Sequence, residues 1–375
     1  LEPMLETVRR QIAEDEAAYL RRLGGLGVQV ELPVALHRPV PTTGFFELPM
    51  HQLLAYYVDR DASPIGKLLS ATKRMAAQVD QVVVVGSNEY LLAAQMLMEA
   101  CAQPRFNSLT RGQRGSRPRV HFVSTSADND AVQALLYVLA NPANSAFRAE
   151  SSWALLSFAA KPDCPVLLSF MDAAESEDCG SLAQSRMMAI RESGGTPSEM
   201  EAELELELPP GLTPFTSALS AIGLAPAALL GVNIMKLQEG ALAMAQHFRE
   251  AAFCNNLPVL HAVASHLVRT RDRQSRVQTD VISMHAVARW ANRLLASGRT
   301  SSGMRADGEP ELIWQIVSKR SRFDTLPRFK QKANMQGDPA TGVVPIELPD
   351  TDEASLGQLL QLMMLSQAIQ IKLCV

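Results

Sequence analysis

The sequence predicts an α/β protein with two mainly parallel sheets, each sandwiched between layers of helices, and three observations carry that expectation. Short apolar runs at 81–85, 120–124 and 154–158 alternate with helical patterns at 90–102 and 128–139. Strands that are apolar on both faces and alternate with helices form parallel sheets covered on both sides. The alternation is interrupted near Gly231 and then resumes. Finally, 375 residues that are 47% hydrophobic and 20% charged supply enough apolar surface for two cores and exclude a mostly disordered chain. The expected organisation is a helical arm and irregular segment over 1–60, a first α/β domain over 61–230 and a second over 231–375 with a closing helix.

At the start of the chain, Leu5, Val8, Ile12, Ala17 and Leu20 mark a helical stripe. This opening is charged throughout and lacks the apolar block of a secretory signal, so a cytoplasmic location is expected. Pro33, Pro39, Pro41 and Pro49 then forbid a long regular element.

The stretch VVVVGSNEYLLAAQ, residues 82–95, reads as a buried strand, one glycine and the first turns of a helix. Such junctions bind anions, because helix-start N–H groups and the helix dipole point at the ligand. Gly86, Ser87 and Asn88 are therefore candidate substrate-binding residues, although Glu89 and Tyr90 bring a carboxylate and bulk to the same turn. The run RGQRGSRPR, residues 111–119, is expected to be a solvated loop. No aromatic side chains interleave with it to stack on bases, and the net charge is −4, so no nucleic-acid partner is expected.

A further strand is expected at 166–170. EAELELEL, 201–208, alternates with period two and should lie near a sheet edge, with its glutamates on a wet face. The most apolar run, 215–230, contains Thr216, Ser217, Ser220 and Pro226 and is shorter than the roughly 20 residues of a membrane span. No membrane association is expected. Beyond it, Asn233 caps a helix to 248, a second helix covers 257–269, and a strand at 277–283 leads into a helix at 285–295. Strands at 312–317 and 343–347 and an amphipathic helix at 356–372 complete the chain.

The five cysteines are scattered without a Cys-x-x-Cys pair, and the histidines do not cluster, so neither a metal nor another cofactor is expected. His261 and His266 are five apart on an apolar helix, which favours packing over ligation. His121 falls on a buried strand and His285 at a helix start. Trp153, Trp290 and Trp314 read as packing residues, Glu239 as a solvated helix residue, and the arginines at 269, 271, 273 and 276 as an exposed basic patch.

The segment SALSAIGLAPAALLGVNIMKLQEGA, residues 217–241, resembles the Ser-Val-Leu-Ser-x-Val-Gly-Leu-Leu-Pro-Ala-Ala stretch of glucose-6-phosphate isomerases and the Gly-Ala that follows it. Further similarity lies at 82–100, in RVHFVSTSADNDAVQALL (119–136), in AVARWANRLLASG (286–298) and in LGQLLQLMMLSQAI (356–369). The resemblance implies two sugar-isomerase (SIS) domains of α-β-α sandwich form with mainly parallel central sheets. It also implies a dimer, with itself or with a related subunit, and interconversion of glucose 6-phosphate and fructose 6-phosphate through an enediol.

That chemistry needs a proton-carrying carboxylate, a cation near the developing oxyanion and a hydroxyl-rich phosphate site. The family's Gly-Ile-Gly-Gly-Ser is replaced here by Gly86, Ser87, Asn88, Glu89 and Tyr90. Its Ser-Lys-Ser/Thr-Gly-Thr loop aligns with Ala159, Ala160, Lys161, Pro162, Asp163 and Cys164, leaving Lys161 as a candidate phosphate contact. The arginine of Gly-Gly-Arg falls at Phe215, beside Ser217, a further candidate contact. The proton-carrying glutamate falls at Ser297 and the histidine near Ser321, and the C-terminal lysine has no counterpart. RESGGTPSE, 191–199, contains hydroxyls but follows a different strand. The expectation is a glucose-6-phosphate-isomerase-family protein with weak or lost activity. The alternative is a non-catalytic sugar-phosphate-binding or partner subunit.

Overall fold

The computed structural model describes residues 44–140, 152–158, 163–176, 186–193, 202–270, 273–297, 312–320 and 342–373. The amino-terminal helical stripe, Pro33, Pro39 and Pro41 lie outside them. Two compact units are present: one runs from Gln52 to Ile234, and the other joins the residues through His51 to those from Met235 onward.

Helix α1, Leu48–Val58, carries Pro49 in its first turn, where the missing N–H has no intrahelical role. Helix α2, Pro64–Gln78, starts on Ser63, whose hydroxyl accepts from the Gly66 amide at 3.0 Å. Strand β1, Gln81–Gly86, is buried throughout and leads into α3, Asn88–Cys101. Then follow β2 (Arg119–Ser124), α4 (Asn129–Ala140), β3 (Trp153–Phe158), α5 (Pro165–Ser176), β4 (Met187–Arg191), β5 (Leu204–Glu207) and α6 (Ala221–Leu229). All pairings in this sheet are parallel, in the order β2-β1-β3-β4-β5. One sheet face, with Val83, Val85, Val123, Trp153, Leu155 and Met187, packs on Val132 and Leu139 of α4 and on Leu167 and Phe170 of α5.

Two expectations are corrected here, and one strand is added. Residues 166–170 form the first turns of α5, not a strand: Val166, Leu167 and Phe170 are buried while Leu168 is exposed, a helical spacing, and Pro165 opens the element. Strand β4 was not foreseen, because MMAIR is short and has no alternation to set it apart. The basic run at 111–119 is not a free loop. Arg111, Arg114 and Arg119 converge on Asp80, with Arg111 at 3.1 Å and Arg114 at 2.5 Å, and the side chains of Arg114 and Asp80 are 0% and 2% exposed. The same guanidiniums donate to the Val79, Ala76, Leu109, Arg117 and Asn107 carbonyls. Buried charge is tolerable only with this degree of pairing. The EAELELEL strand behaves as expected, with Leu204 and Leu206 half-buried, Glu205 and Glu207 exposed, and β5 at the sheet edge.

The second unit continues with α7 (Ile234–Glu250), α8 (Leu257–Arg269), β6 (Ser275–Thr279), α9 (His285–Ser297), β7 (Leu312–Ser318), β8 (Val343–Leu348) and α10 (Glu353–Leu373). Its strands pair in parallel in the order β6-β7-β8. Helix α10 is not amphipathic. Leu356, Met364, Leu365 and Leu362, which point to four different sides of it, are all buried. Its crossing with α7 is glycine on glycine: a Cβ at Gly240 would lie 2.0 Å from the Ala354 carbonyl oxygen, and one at Gly357 would lie 2.0 Å from that of Leu237. Arg249 pairs with the buried Glu47 and stacks over Phe46, which meets Phe248 edge-on at 5.7 Å.

Both units close an edge strand with an asparagine carboxamide. Asn107 donates to the Val120 carbonyl at 2.8 Å and accepts its amide at 3.1 Å, and Asn292 does the same to Val277 at 2.8 and 2.9 Å. A side chain thus satisfies backbone groups that would otherwise template another strand.

Candidate functional site

In an open parallel sheet, ligands bind outside the carboxyl ends of the strands where the strand order reverses. The order β2-β1-β3 puts that reversal between β1 and β3, at Gly86 and Phe158, which are register partners. A Cβ on Gly86 would sit 2.9 Å from Phe158 Cβ and 3.3 Å from the Phe158 carbonyl oxygen. Glycine is therefore required here for the approach of strand to strand.

Ser87 is the N-cap of α3 in extended conformation, but its hydroxyl makes no capping bond. Asn88 and Glu89 are exposed in the first turn. Tyr90 is 5% exposed, and its hydroxyl donates to Glu192 Oε1 at 2.9 Å. Burial and the neighbouring carboxylate push the phenol pKa well up, so it stays protonated and holds that bond. Glu192 follows β4, and β3 lies between β1 and β4. The bond therefore spans the carboxyl edge of β3, across the ground where the reversal would admit a ligand. Two carboxylates, Glu89 and Glu192, flank this edge and oppose a dianion.

On the β2 side, the Thr125 amide donates to the Gly86 carbonyl at 2.9 Å, and the Ser124 and Ser126 hydroxyls bond each other at 2.8 Å. Asp128 caps α4 through the Ala131 amide at 2.8 Å. The Asp80 cluster offers no cation to this crevice, because Asp80 precedes β1 and Arg119 opens β2, at the opposite edge of the sheet.

The other candidate residues are not gathered here. Ser217 is fully buried in a 3-10 turn, Pro214–Leu219, and its hydroxyl donates to the Pro214 carbonyl at 2.6 Å. Phe215 is half-buried in the same turn. The hydroxyls around them serve the backbone: Thr213 and Thr216 form a reciprocal capping box, and Ser220 caps α6 while donating to the Ser217 carbonyl at 2.7 Å. Ser297 ends α9, donates to the Leu294 carbonyl at 2.7 Å and accepts from Gln367 at 3.2 Å. Lys161 and Ser321 lie outside the described residues.

Among the described residues, no group of three His, Cys, Asp or Glu side chains is placed to hold a metal ion, and no helix is long and apolar enough to cross a membrane. His261 is fully buried, with its ring tilted against Trp314 at 4.4 Å and Nδ1 2.5 Å from Ser366 Oγ. Desolvation pushes its pKa down to about 3, which keeps it neutral. His121 is half-buried, 3.1 Å from Gln81 Oε1. Sequence reasoning missed Glu192 as a partner for Tyr90. The two are joined only by parallel pairing that places β4 one strand beyond β3.

Comparison with known proteins agrees with the resemblance read from the sequence. The phosphoglucose isomerase family model matches residues 214–286. The glucose-6-phosphate isomerase of Caldanaerobacter subterraneus subsp. tengcongensis is 22% identical over 291 residues, covering 73% of this chain and 63% of its own length. The chain thus spans under two thirds of that relative. A hypothetical protein from Thermus thermophilus superposes with a TM-score of 0.67 at 16% identity, over 99% of this chain and 89% of that one. A glucose-6-phosphate isomerase from Chlamydia trachomatis does so with a TM-score of 0.67 at 13% identity, over 98% and 78%. The chain is glucose-6-phosphate-isomerase-like in these comparisons, and it shares its α/β fold with the Chlamydia trachomatis structure.

Proposed function

We propose that this chain is a glucose-6-phosphate-isomerase-like protein in which glucose 6-phosphate to fructose 6-phosphate interconversion is weak or lost, and that it acts as a non-catalytic subunit of an assembly. The bond from Tyr90 to Glu192 across the end of β3, above the Gly86–Phe158 contact, carries this reading. A sugar phosphate entering there must displace a buried tyrosine and approach two carboxylates. The matched segment supports the same view. Its hydroxyls cap turns, and Gly223 and Gly240 stand where a Cβ would lie 2.0 Å from the Ala218 and Ala354 carbonyl oxygens. These hydroxyls and glycines of 214–286 thus have roles in packing and capping.

Melting curves in fructose 6-phosphate, glucose 6-phosphate and inorganic phosphate at millimolar concentration test the closed crevice. A ligand at a hundredfold excess over Kd stabilises by about 2.7 kcal/mol, which is several degrees for a domain of ordinary size. No rise is expected with any of the three. A saturable rise with the sugar phosphates that Tyr90→Ala enlarges would mean the crevice opens to ligand and would overturn the proposal.

A further inference from the structure

The arginine cluster at the amino edge of the first sheet carries more positive charge than the surrounding fold neutralises. Residues 103–119 include Arg105, Arg111, Arg114, Arg117 and Arg119 and no acidic side chain. Asp80, the carboxylate that Arg111, Arg114 and Arg119 surround, is 2% exposed and has both oxygens engaged. Three guanidiniums thus share one negative charge. The excess is felt within the cluster: burial lowers the Arg114 pKa, Asp80 opposes that, and the Arg119 and Arg111 charges lower it further. Arg114 is sealed in, but Arg111 and Arg119 are 19% and 32% exposed, so their charge reaches solvent. Both are held rigidly, Arg111 by the Ala76 and Val79 carbonyls at the end of α2 and Arg119 by the Asn107 carbonyl at 2.9 Å. Two further arginines lie on this edge. Arg117 is half-buried over Gly231, where a Cβ would meet its guanidinium at 3.0–3.2 Å. Arg105 is exposed at the start of the 3-10 turn Phe106–Ser108, which holds Asn107. Neither guanidinium has a hydrogen bond or ion pair among the described residues.

We propose that this arginine edge is a docking surface for an acidic segment of a partner protein, whose carboxylates are received by Arg105, Arg117 and the partly exposed guanidiniums of Arg111 and Arg119. Guanidinium forks match carboxylates two hydrogen bonds at a time. Because Arg111 and Arg119 are already fixed by backbone carbonyls, little side-chain freedom is lost when a partner binds them. A backbone cradle for free phosphate is not built here, since the Gly115, Ser116 and Arg117 amides already donate to the Gly112, Arg111 and Arg114 carbonyls at 3.0, 2.9 and 3.3 Å. Nucleic acid fits less well. Phe106, the aromatic residue of the segment, is buried and cannot stack on a base. The inference rests on the chain acting as a subunit of an assembly and names the chemistry of the other member. The arginine edge lies at the opposite end of the strands from the β1–β3 crevice, so binding here and turnover there can each fail alone.

Fluorescence anisotropy of a labelled oligoglutamate peptide tests it, beside a single-stranded DNA of equal charge, at low and raised salt. Saturable binding of the peptide is expected, weakening as salt rises, with the DNA bound less tightly. Arg117→Gln removes a charge-assisted pair and should weaken peptide binding by about tenfold or more, and adding Arg105→Gln should weaken it further. Arg117→Lys, which keeps the charge without the fork, should recover part of the loss. Lys67→Gln, at an exposed lysine near the start of α2, should bind like the wild type. If Arg117→Gln lowers the melting temperature, Arg105→Gln alone, at an exposed side chain, decides the matter. No saturable binding of the peptide, binding unchanged by both arginine substitutions, or tighter binding of the DNA than of the peptide would overturn the proposal.

Discussion

Replacing Gly86 by alanine separates a packing glycine from a ligand-binding one. The new Cβ would stand 2.9 Å from Phe158 Cβ and 3.3 Å from the Phe158 carbonyl oxygen, with Leu91 Cδ2 at 3.5 Å. Carbon atoms pack best at about 3.5–4.0 Å, so β1 and β3 must separate by roughly half an ångström or more. Neither Phe158 atom can swing away, since one is backbone and the other is fixed to it. Overpacking of this kind costs about 1–3 kcal/mol. The smaller unfolded-state entropy of alanine offsets about 0.4–1 kcal/mol. A net loss of about 1–2 kcal/mol is expected, lowering the melting temperature by a few degrees and speeding amide hydrogen exchange in peptides from 81–86 and 153–158. Ser87→Ala, which removes a hydroxyl with no capping bond, should leave both unchanged. If Gly86→Ala melts like the wild type and instead weakens binding of a sugar phosphate, the glycine serves a ligand and the packing argument fails.

Other substitutions probe the remaining supports. Asp80→Asn removes the charge that Arg111, Arg114 and Arg119 share; breaking a buried ion cluster this way costs about 3–5 kcal/mol, and a urea midpoint within error of wild type would contradict it. Gly357→Ala sets a methyl 2.0 Å from the Leu237 carbonyl oxygen and should give insoluble or strongly destabilised protein, measured as soluble yield and melting temperature. His261 is neutral when folded, its pKa about 3, and gains a proton when unfolded near 6.5. The unfolded state therefore binds more protons between those values. Stability is full above about pH 6.5 and falls by up to about 1.4 kcal/mol per pH unit below it. His261→Gln should flatten that slope; an unaltered slope would mean other groups set it.

Much of the fold was legible because runs such as VVVV at 82–85 and WALLSF are apolar on both faces and flanked by helical patterns. Edge placement of β5 followed from the alternation of EAELELEL. What escaped depends on who meets whom. VLLSF is equally apolar as strand or helix, and only its burial distinguishes them. Three arginines read as a wet loop because Asp80, 31 to 39 residues earlier, is brought to them only by the β1–β2 pairing. The substitutions at Gly86 to Tyr90 pointed to a filled cradle. That Tyr90 holds Glu192 across β3 required the order of strands.

The most direct measurement is turnover of fructose 6-phosphate by the purified chain, coupled to oxidation of the glucose 6-phosphate formed, beside an intact glucose-6-phosphate isomerase in the same cuvette conditions. Loss of a positioned acid–base group alone costs about 10²- to 10⁴-fold. The account predicts a rate at least about a hundredfold below the intact enzyme, with no dependence on Tyr90 or Glu192. A rate within about tenfold of it, abolished by a substitution at the β1–β3 crevice, would contradict the account.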